Sequence, residues 1–262
     1  MISKRIDINV DIGEGYGRYR LGNDEEVIRY VSSANVATGF HGGDPVVMWN
    51  TVRYAKKYGV AVGAHPAFQD LRGFGRRVIK MEPDELKADI IYQLGALDAF
   101  LRTEGLKMQH VKPHGALYMV VEHDEAYAEA VIDAVRSYNP ELIFFTEYGT
   151  VAWKKARDAG LRTVSEAFPD LQYNSEGRWI MERVKKPMDP ATVARRAVNI
   201  AMNGTVETVD GKTIKIVAQT LCLHSDSPNA PEVAKVVRAE LERNGIEVVP
   251  IGKTLEEVGH DV

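Results

Sequence analysis

The sequence predicts an α/β protein whose parallel strands close into a barrel, and three observations indicate this fold. Strand-like and helix-like segments alternate along the 262 residues without a repeat or a linker. Seven of the strand-like segments suit the parallel strands of a closed or nearly closed barrel. Several of them end in an ionisable residue, at the end of the strand where such barrels carry their chemistry. We therefore expect a single barrel domain over residues 1–262.

The first strand, Arg5 to Asp11, shows a clear period of two. Its apolar residues share one face, and Asp7, Asn9 and Asp11 share the other. Strands of parallel sheets are usually apolar on both faces, so a face of acids and an amide indicates a polar barrel interior. Asp11 stands at the carboxyl end of this strand, immediately before a glycine-rich turn.

The remaining elements follow from their boundaries, because prolines suit first helical turns and glycines suit helix ends. Further barrel strands are predicted over 34–40, 60–65, 107–112, 142–146, 161–166 and 217–224. Helices are predicted over 45–58, 83–104, 124–138, 190–203 and 230–244. One further helix is predicted to begin at about residue 24, and another is predicted to end at about residue 159. Asp210-Gly211 lies between two strand-like segments and predicts a β-hairpin before the last barrel strand.

The same period predicts inner faces of small or polar residues on the other strands. These are Asn35, Ala37, Gly39 and His41, then Ala61, Gly63 and His65, then His110 and Lys112, and finally Thr220, Cys222 and His224. A single histidine is as readily a core imidazole bonded to a carbonyl as a functional group. A converging set favours a site, since burying several ionisable groups without a function is costly.

Composition excludes several classes of protein. The hydrophobic fraction of 45% and the charged fraction of 27% are those of an ordinary globular protein. The net charge of −4 argues against a nucleic-acid surface, and neither a secretory segment nor an apolar run of membrane-spanning length is present. The single cysteine, Cys222, fits a reducing compartment. We expect a cytoplasmic protein with a small-molecule substrate and no nucleic-acid or membrane partner, and a homo-oligomer is compatible with these numbers.

Three strand ends carry alternative interpretations. His41 and Asp44 suit a metal or a substrate amide, although Asp44 equally suits a cap of the helix that begins at Pro45. Asp11, His41 and His65 are ligand types of a divalent metal, but no H-E-x-x-H motif supports that interpretation.

Cations and a possible acid–base pair occupy the other strand ends. Lys112 beside His114 suits an oxyanion or a carboxylate. His224 with Asp226 suits an imidazole base that is oriented by a carboxylate. The loop that carries Arg76 and Arg77 suits a lid over an anionic ligand, or simply solvated arginines.

The chain has no recognisable nucleotide motif. Gly211-Lys212-Thr213 and Gly252-Lys253-Thr254 look like P-loop ends, but Val206 and Glu247 stand where the first glycine is required.

Six motifs together resemble the LamB/YcsF family over nearly the whole chain. They are Asp7-x-Asn9-x-Asp11-x-Gly13-Glu14-Gly15, Gly39-Phe40-His41-x-Gly43-Asp44-Pro45, Gly63-Ala64-His65-Pro66, Gly73-Phe74-Gly75-Arg76-Arg77, Val111-Lys112-Pro113-His114-Gly115-Ala116-Leu117-Tyr118 and His224-x-Asp226-x-Pro228. The resemblance implies a seven-stranded β/α barrel of the glycoside hydrolase/deacetylase type. It also implies ATP-dependent opening of 5-oxoproline to L-glutamate, performed together with separately encoded B and C subunits.

Three positions depart from the family's usual residues. Thr38 stands where the family usually has Cys, Ser225 where it has Gly, and Leu171 where it commonly has Arg. Leu171 is the departure that bears on which acid is recognised.

The residues and the resemblance together suggest roles at the barrel mouth. ATP is expected to be used with the partner subunits. Expected catalytic groups are Asp11 and His41 for activating water or a metal, Lys112 and His114 for stabilising an oxyanion, and His65, His224 and Asp226 for moving or orienting protons. Expected substrate-binding residues are Asn9, Glu14, Asp44, Arg76 and Arg77.

Two other functions fit the same residues. One is a metal-dependent deacetylase or amidohydrolase that acts alone on a small amide or an N-acetyl sugar. The other is a non-catalytic subunit that binds a ring-containing acid for its partners.

Overall fold

The computed structural model describes residues 4–180 and 185–258. Its strands are β1 (Lys4–Ile12), β2 (Ser33–Ala37), β3 (Ala61–His65), β4 (Met108–Val111), β5 (Ile143–Thr146), β6 (Arg162–Ala167), β7 (Gln172–Tyr173), β8 (Trp179–Ile180), β9 (Thr205–Glu207), β10 (Thr213–Lys215), β11 (Thr220–His224) and β12 (Ile246–Val248). Its helices are α1 (Asp24–Val27), α2 (Pro45–Tyr58), α3 (Pro83–Glu104), α4 (Gly115–Val121), α5 (Glu125–Tyr138), α6 (Val151–Asp158), α7 (Pro190–Asn203), α8 (Ala230–Arg243) and α9 (Ile251–Val258).

Seven parallel strands close into a barrel in the order β1-β2-β3-β4-β5-β6-β11, and β11 pairs with β1 to complete it. The predicted fold class is therefore confirmed. The register places Asp11 beside Asn35 on one side and beside His224 on the other. Because these neighbours share the carboxyl end of the barrel, their side chains are brought to one mouth.

Most predicted elements are confirmed to within a few residues, including the β9–β10 hairpin. The predicted second strand is too long, because the chain turns at Gly39, whose φ is +96°, and β2 ends at Ala37. His41 therefore lies in the loop after β2. Four features were not predicted: α4, the β7–β8 hairpin, α9, and β12, which pairs with the first residues of β1.

The barrel interior is polar, as the period of two predicts. In its lower layer, the hydroxyls of Ser32, Ser33 and Thr220 donate to the carboxylate of Asp7 over 2.6–2.8 Å. In the layer above, Asn35 donates to the side-chain oxygen of Asn9 over 2.6 Å. These bonds satisfy groups that would otherwise be costly to bury.

His110 fills the centre of the barrel. A Cβ at Gly63 would overlap its ring, so the glycine there makes the space that the imidazole needs. Burial lowers the pKa of His110 to about 3, and its Nε2 bonds the side-chain oxygen of Asn35 at 2.7 Å. His110 is thus an uncharged structural group beneath the mouth.

The outer faces of the strands and the inner faces of the helices form the main hydrophobic core, with Ile8, Val10, Ile90, Leu94 and Leu97 among its fully buried members. Within the described ranges, no helix has both the length and the apolar character needed to cross a bilayer.

Candidate active site

The strand-end residues converge on Asp11 at the carboxyl mouth of the barrel. Lys112 Nζ lies 2.8 Å from Asp11 Oδ1, and His65 Nε2 lies 3.2 Å from Asp11 Oδ2. His224 Nε2 is 3.7 Å from the same Oδ2, and Asn35 donates to Oδ1 over 2.8 Å. A single carboxylate therefore organises groups from four strands or strand ends.

Asp11 is held in its ionised form. Burial alone would raise its pKa, but the nearby His65 and Lys112 hold that pKa well below the usual range. The mouth thus contains a permanent negative charge that can stabilise positive charge on neighbouring imidazoles.

His65 and His114 form a pair whose inner nitrogens face each other. His65 Nδ1 donates to the backbone carbonyl of Lys112 over 2.7 Å, and His114 Nε2 donates to the carbonyl of Phe74 over 2.8 Å. The remaining nitrogens, His65 Nε2 and His114 Nδ1, are 3.0 Å apart. A shared proton or a cation is needed between them, because two lone pairs at this distance repel.

Glu14 and His41 extend the network from the far side of His114. His41 stacks on His114 with ring centroids 3.7 Å apart, and its Nε2 lies 3.1 Å from Glu14 Oε1. Burial and the charge of Asp11 raise the pKa of Glu14 well above its usual value, and burial also lowers the pKa of His41. These shifts favour the uncharged forms of Glu14 and His41, whereas the shift of Asp11 favours its charged form.

Lys112 is buried and fully engaged. Besides Asp11, its Nζ contacts Cys222 Sγ at 2.8 Å and Glu166 Oε1 at 3.4 Å. Burial opposes its charge, but Asp11 and the other acidic partners raise its pKa well above the usual value. The ammonium that was expected to stabilise an oxyanion therefore already bridges two buried carboxylates.

His224 is oriented by Asp170, not by Asp226. Its Nδ1 lies 2.9 Å from Asp170 Oδ2, and its backbone N–H donates to the same oxygen over 3.0 Å. Asp226 instead accepts from Arg76 over 2.8 Å. The prediction that Asp226 orients His224 was therefore wrong. An imidazole that is oriented by an aspartate does line the mouth, but that aspartate is Asp170.

The loop over residues 66–82 is anchored across the mouth. Phe74 has a φ of +55°, a conformation that non-glycine residues rarely adopt, and it directs its carbonyl to His114. The backbone N–H of Ala116 donates to the carbonyl of Gly75 over 2.9 Å. Arg77 pairs with Asp70 outside the mouth, so of the two arginines only Arg76 faces inward.

A cavity opens at this mouth. Its polar wall contains Asp11, His65, Lys112, His114 and His224, and its other lining residues are Arg76, Pro113, Gly115, Tyr118, Phe168, Leu171, Trp179 and Lys185. Leu171, one of the three departures from the family pattern, therefore lines this cavity. The mixture of apolar and convergent polar lining groups is typical of a small-molecule site.

Three expected site residues are engaged elsewhere. Asn9 is buried beneath the mouth and donates to Glu166 and Thr220. Asp44 caps α2 by accepting from the N–H groups of Val46 and Val47, and it also accepts from Gly17 over 2.7 Å. Neither lines the cavity, and Arg77 is held by Asp70, as described above.

Sequence reasoning missed Asp170, Glu166 and the aromatic wall. Glu166 ends a predicted strand, so its position at a strand end was a usable signal. Asp170 lies in a loop, and only the folded chain brings it to His224. Tyr118 is part of the motif that carries Lys112, and its buried hydroxyl has no hydrogen-bond partner among the described residues.

One cluster has the composition of a metal site. Single donor atoms of Glu14, His41, His65 and His114 lie within 4.8 Å of one another. Metal-binding histidines commonly donate their outer nitrogen to a carbonyl, as His65 and His114 do here. The donor set therefore fits a divalent cation.

A closed β/α barrel whose mouth gathers carboxylates, imidazoles and a buried lysine around a small cavity defines an acid–base enzyme of small molecules. A model of the LamB/YcsF family matches residues 6–256, and the chain belongs to this family.

Curated relatives have high identity over nearly their whole length. The A subunit of 5-oxoprolinase from Thermococcus onnurineus is 46% identical over 95% of this chain and 98% of its own. The corresponding 5-oxoprolinase A subunit of Thermus thermophilus is 48% identical over 93% and 98%, respectively.

Solved structures agree on the fold. The crystal structure of a lactam utilization protein from Thermus thermophilus has a TM-score of 0.86 at 48% identity, covering 94% of this chain and 99% of that one. A peptidoglycan deacetylase from Bacillus subtilis, with 13% identity and a TM-score of 0.51 over 98% of this chain and 92% of that one, shares the fold alone.

Proposed function

We propose that this chain is the A component of an ATP-dependent 5-oxoprolinase. It opens the lactam of 5-oxoproline to L-glutamate, with hydrolysis of ATP to ADP and phosphate, together with separate B and C subunits. The names of relatives at 46–48% identity support the proposal. The observation that carries it is the Asp11-centred network that faces the cavity at the barrel mouth, whose other lining residues include the apolar side chains of Phe168, Leu171 and Trp179.

The chemistry follows from the needs of an unstrained amide. Opening a lactam requires a polarised carbonyl, a delivered water and a proton for the leaving nitrogen. His224 can move that proton at Nε2, because Asp170 holds Nδ1 and thereby fixes the tautomer. Asp11 stabilises an imidazolium at either His65 or His224, which are both within 3.7 Å of its Oδ2.

Lys112 has an indirect role in this scheme. Its ammonium holds Asp11 in place and, because it lines the cavity, adds positive potential where an oxyanion develops. His114 faces the same cavity and lies between His65 and Glu14, which permits proton movement along the network.

A divalent cation at the Glu14–His41–His65–His114 cluster would polarise a carbonyl or a bound water. We propose that the cluster binds one, and the measurement is a calorimetric titration of the chain with Zn²⁺ and with Mn²⁺. His65→Ala and His114→Ala should abolish binding, whereas His123→Ala, at an exposed position, should not. Equal binding by all four proteins would place the metal elsewhere.

The division of labour between subunits can be tested directly. Turnover of 5-oxoproline is measured with this chain alone, with ATP, with a divalent metal, and with the B and C subunits. We expect turnover only in the complete mixture with ATP, and no appreciable ATP hydrolysis by the isolated chain. Robust ATP hydrolysis by the single chain would contradict the proposal.

The cluster of metal-ligand types also favours a second candidate, a metal-dependent deacetylase or amidohydrolase that acts alone. Release of acetate from an N-acetyl sugar by the metal-loaded chain, without partners or ATP, would support it over the first. We further propose a cytoplasmic location, because the reaction consumes ATP and the one cysteine is an unpaired thiol.

A further inference from the structure

Three cations line the catalytic cavity, and they differ in what holds them. Lys112 bridges Asp11 and Glu166, and Arg76 pairs with Asp226. Lys185 is the exception: its Nζ is buried, yet it makes no hydrogen bond with any residue in 4–180 or 185–258. The charge of Asp170 interacts with Lys185, but no described residue accepts a hydrogen bond from this buried ammonium. An anionic ligand at this position would supply such an acceptor, which a buried charge needs.

Lys185 also borders a second cavity. Lys185 and Arg76 both line it as well as the catalytic cavity, and its other charged lining residues are Arg72, Arg77 and Asp226. Asp226 pairs with Arg76 and Asp70 pairs with Arg77, so cations still outnumber the acids here, and the resulting positive potential attracts small anions.

The apolar lining of the catalytic cavity indicates how such an anion would be oriented. Phe168, Leu171 and Trp179 form an apolar surface suited to a hydrocarbon ring, while Asp11, His65 and His224 form the reactive wall. A five-membered lactam with its carbonyl toward the reactive wall must place its carboxylate elsewhere in the cavity. Lys185 is the lining cation that donates no hydrogen bond to a described carboxylate, although the charge of Asp170 interacts with it.

We propose that Lys185 binds the carboxylate of the substrate and thereby selects ring-containing acids over neutral lactams. The identity of the ring in this inference rests on the proposed function. The selection of a carboxylate by Lys185 does not depend on which reaction the enzyme performs. Asp170 is the competing partner, since its Oδ1 also has no hydrogen bond among the described residues. In that alternative, Lys185 would serve only to support the Asp170–His224 pair.

The test compares 5-oxoproline with 5-oxoprolinamide, which has the same lactam ring and no negative charge. Binding of each is measured by calorimetry on the complex with the B and C subunits. The wild type should bind the acid about 10- to 100-fold more tightly than the amide, the range expected for one charge-assisted hydrogen bond. Lys185→Met should remove this preference without weakening amide binding, and Lys185→Arg should retain most of it.

Lys186→Met is the matched control, because Lys186 is the next residue and is exposed. It should keep the preference of the wild type. The proposal is wrong if the wild type binds both ligands equally, or if Lys185→Met keeps the preference. A purely supporting role would lower turnover and shift its pH profile, with the preference unchanged.

Failure of the proposed function gives a different result. A complex that binds the acid selectively but does not open it would contradict the proposed reaction and leave the role of Lys185 supported.

Discussion

Asp7 and Asp11 lie on the same face of β1, four residues apart, and both are buried. Asp7 is surrounded by three hydroxyls and no cation. Burial raises its pKa to about 6, although its bonds to Thr220, Ser32 and Ser33 oppose the shift. Asp11 has a lysine and two imidazoles around it, which hold its pKa well below the usual range despite burial.

The difference shows that burial alone does not decide what a carboxylate does. Hydroxyl groups satisfy Asp7 without supplying compensating charge, which suits a group that holds strands together. The ammonium of Lys112 and the imidazoles of His65 and His224 keep Asp11 charged at the mouth, where a fixed charge can act on a substrate. We therefore assign a structural role to the carboxylate at the lower end of this strand and propose a functional role for the one at its upper end.

The largest expected effect comes from exchanging each carboxylate for an amide. Asp11→Asn should reduce turnover of 5-oxoproline by the reconstituted complex about 10³-fold, since acid–base groups contribute on this order. Asp7→Asn should leave turnover per folded molecule near that of the wild type. Steady-state assays, with folded protein quantified by circular dichroism, test both variants. Equal losses in the two variants would remove the distinction drawn here.

Much of the difference between the two ends of β1 could be predicted from the sequence, because the alternation of polar and apolar residues is a local property of the chain. It identified the polar face of β1 and the strand-end residues Asp11, His65, Lys112 and His224, which the register then brought together. The strands that were missed are very short: β12 spans Ile246–Val248 and pairs only with the first part of β1. Such a strand depends on its neighbour more than on its own residues.

The partners of the site residues were less accessible. Asp226 is two residues from His224 and Asp170 is 54 away, yet Asp170 makes the bond. Likewise, the residues next to Lys112 in the sequence do not indicate that its ammonium lies between Asp11 and Glu166. Which of two carboxylates a side chain meets is decided by loop geometry, which propensity and periodicity do not describe.

Removing the cation from beside Asp11 should destabilise the fold. Lys112→Met keeps most of the side-chain volume but leaves Asp11 and Glu166 buried without it, and breaking such pairs costs about 3–5 kcal/mol. Urea unfolding measures the loss, and Lys185→Met, which breaks no hydrogen bond to a described residue, is the control. Unchanged stability of Lys112→Met would contradict a stabilising role for the contacts of Lys112 with Asp11 and Glu166.

The opposite pKa shifts predict opposite responses to pH. Since the pKa of Asp7 is raised from 3.8 to about 6, the stability that it contributes is complete below about pH 4 and is lost as the pH rises through 6. The free energy of unfolding of the wild type relative to Asp7→Asn should therefore fall by up to about 3 kcal/mol between pH 4 and pH 8.

For Asp11 the sign is reversed, because its pKa is lowered. The wild type should lose stability relative to Asp11→Asn only as the pH falls below 4. Urea unfolding over a series of pH values gives both comparisons. Parallel pH profiles for the two variants would contradict the assigned shifts.

The smallest expected effect is the loss of one hydroxyl from the lower layer. Ser33 Oγ donates to Asp7 Oδ1 over 2.8 Å, and that oxygen also accepts from Ser32 over 2.7 Å. Ser33→Ala should therefore lower the free energy of unfolding by only about 1 kcal/mol, with KM and turnover unchanged. Because this hydroxyl lowers the pKa of Asp7, it favours the ionised carboxylate, and its removal should cost more at pH 8 than at pH 5. Ser32→Ala is the matched variant and should cost more, since Ser32 Oγ accepts from the buried backbone N–H of Ile8 over 2.8 Å, whereas Ser33 Oγ accepts a longer, part-buried bond of 3.2 Å from Gln109 Nε2. If the cost of Ser33→Ala does not change with pH, Asp7 keeps one charge state between pH 5 and pH 8. Asp7 and Asp11 would then differ in the donors that surround them and not in a pKa shift of Asp7 within this range.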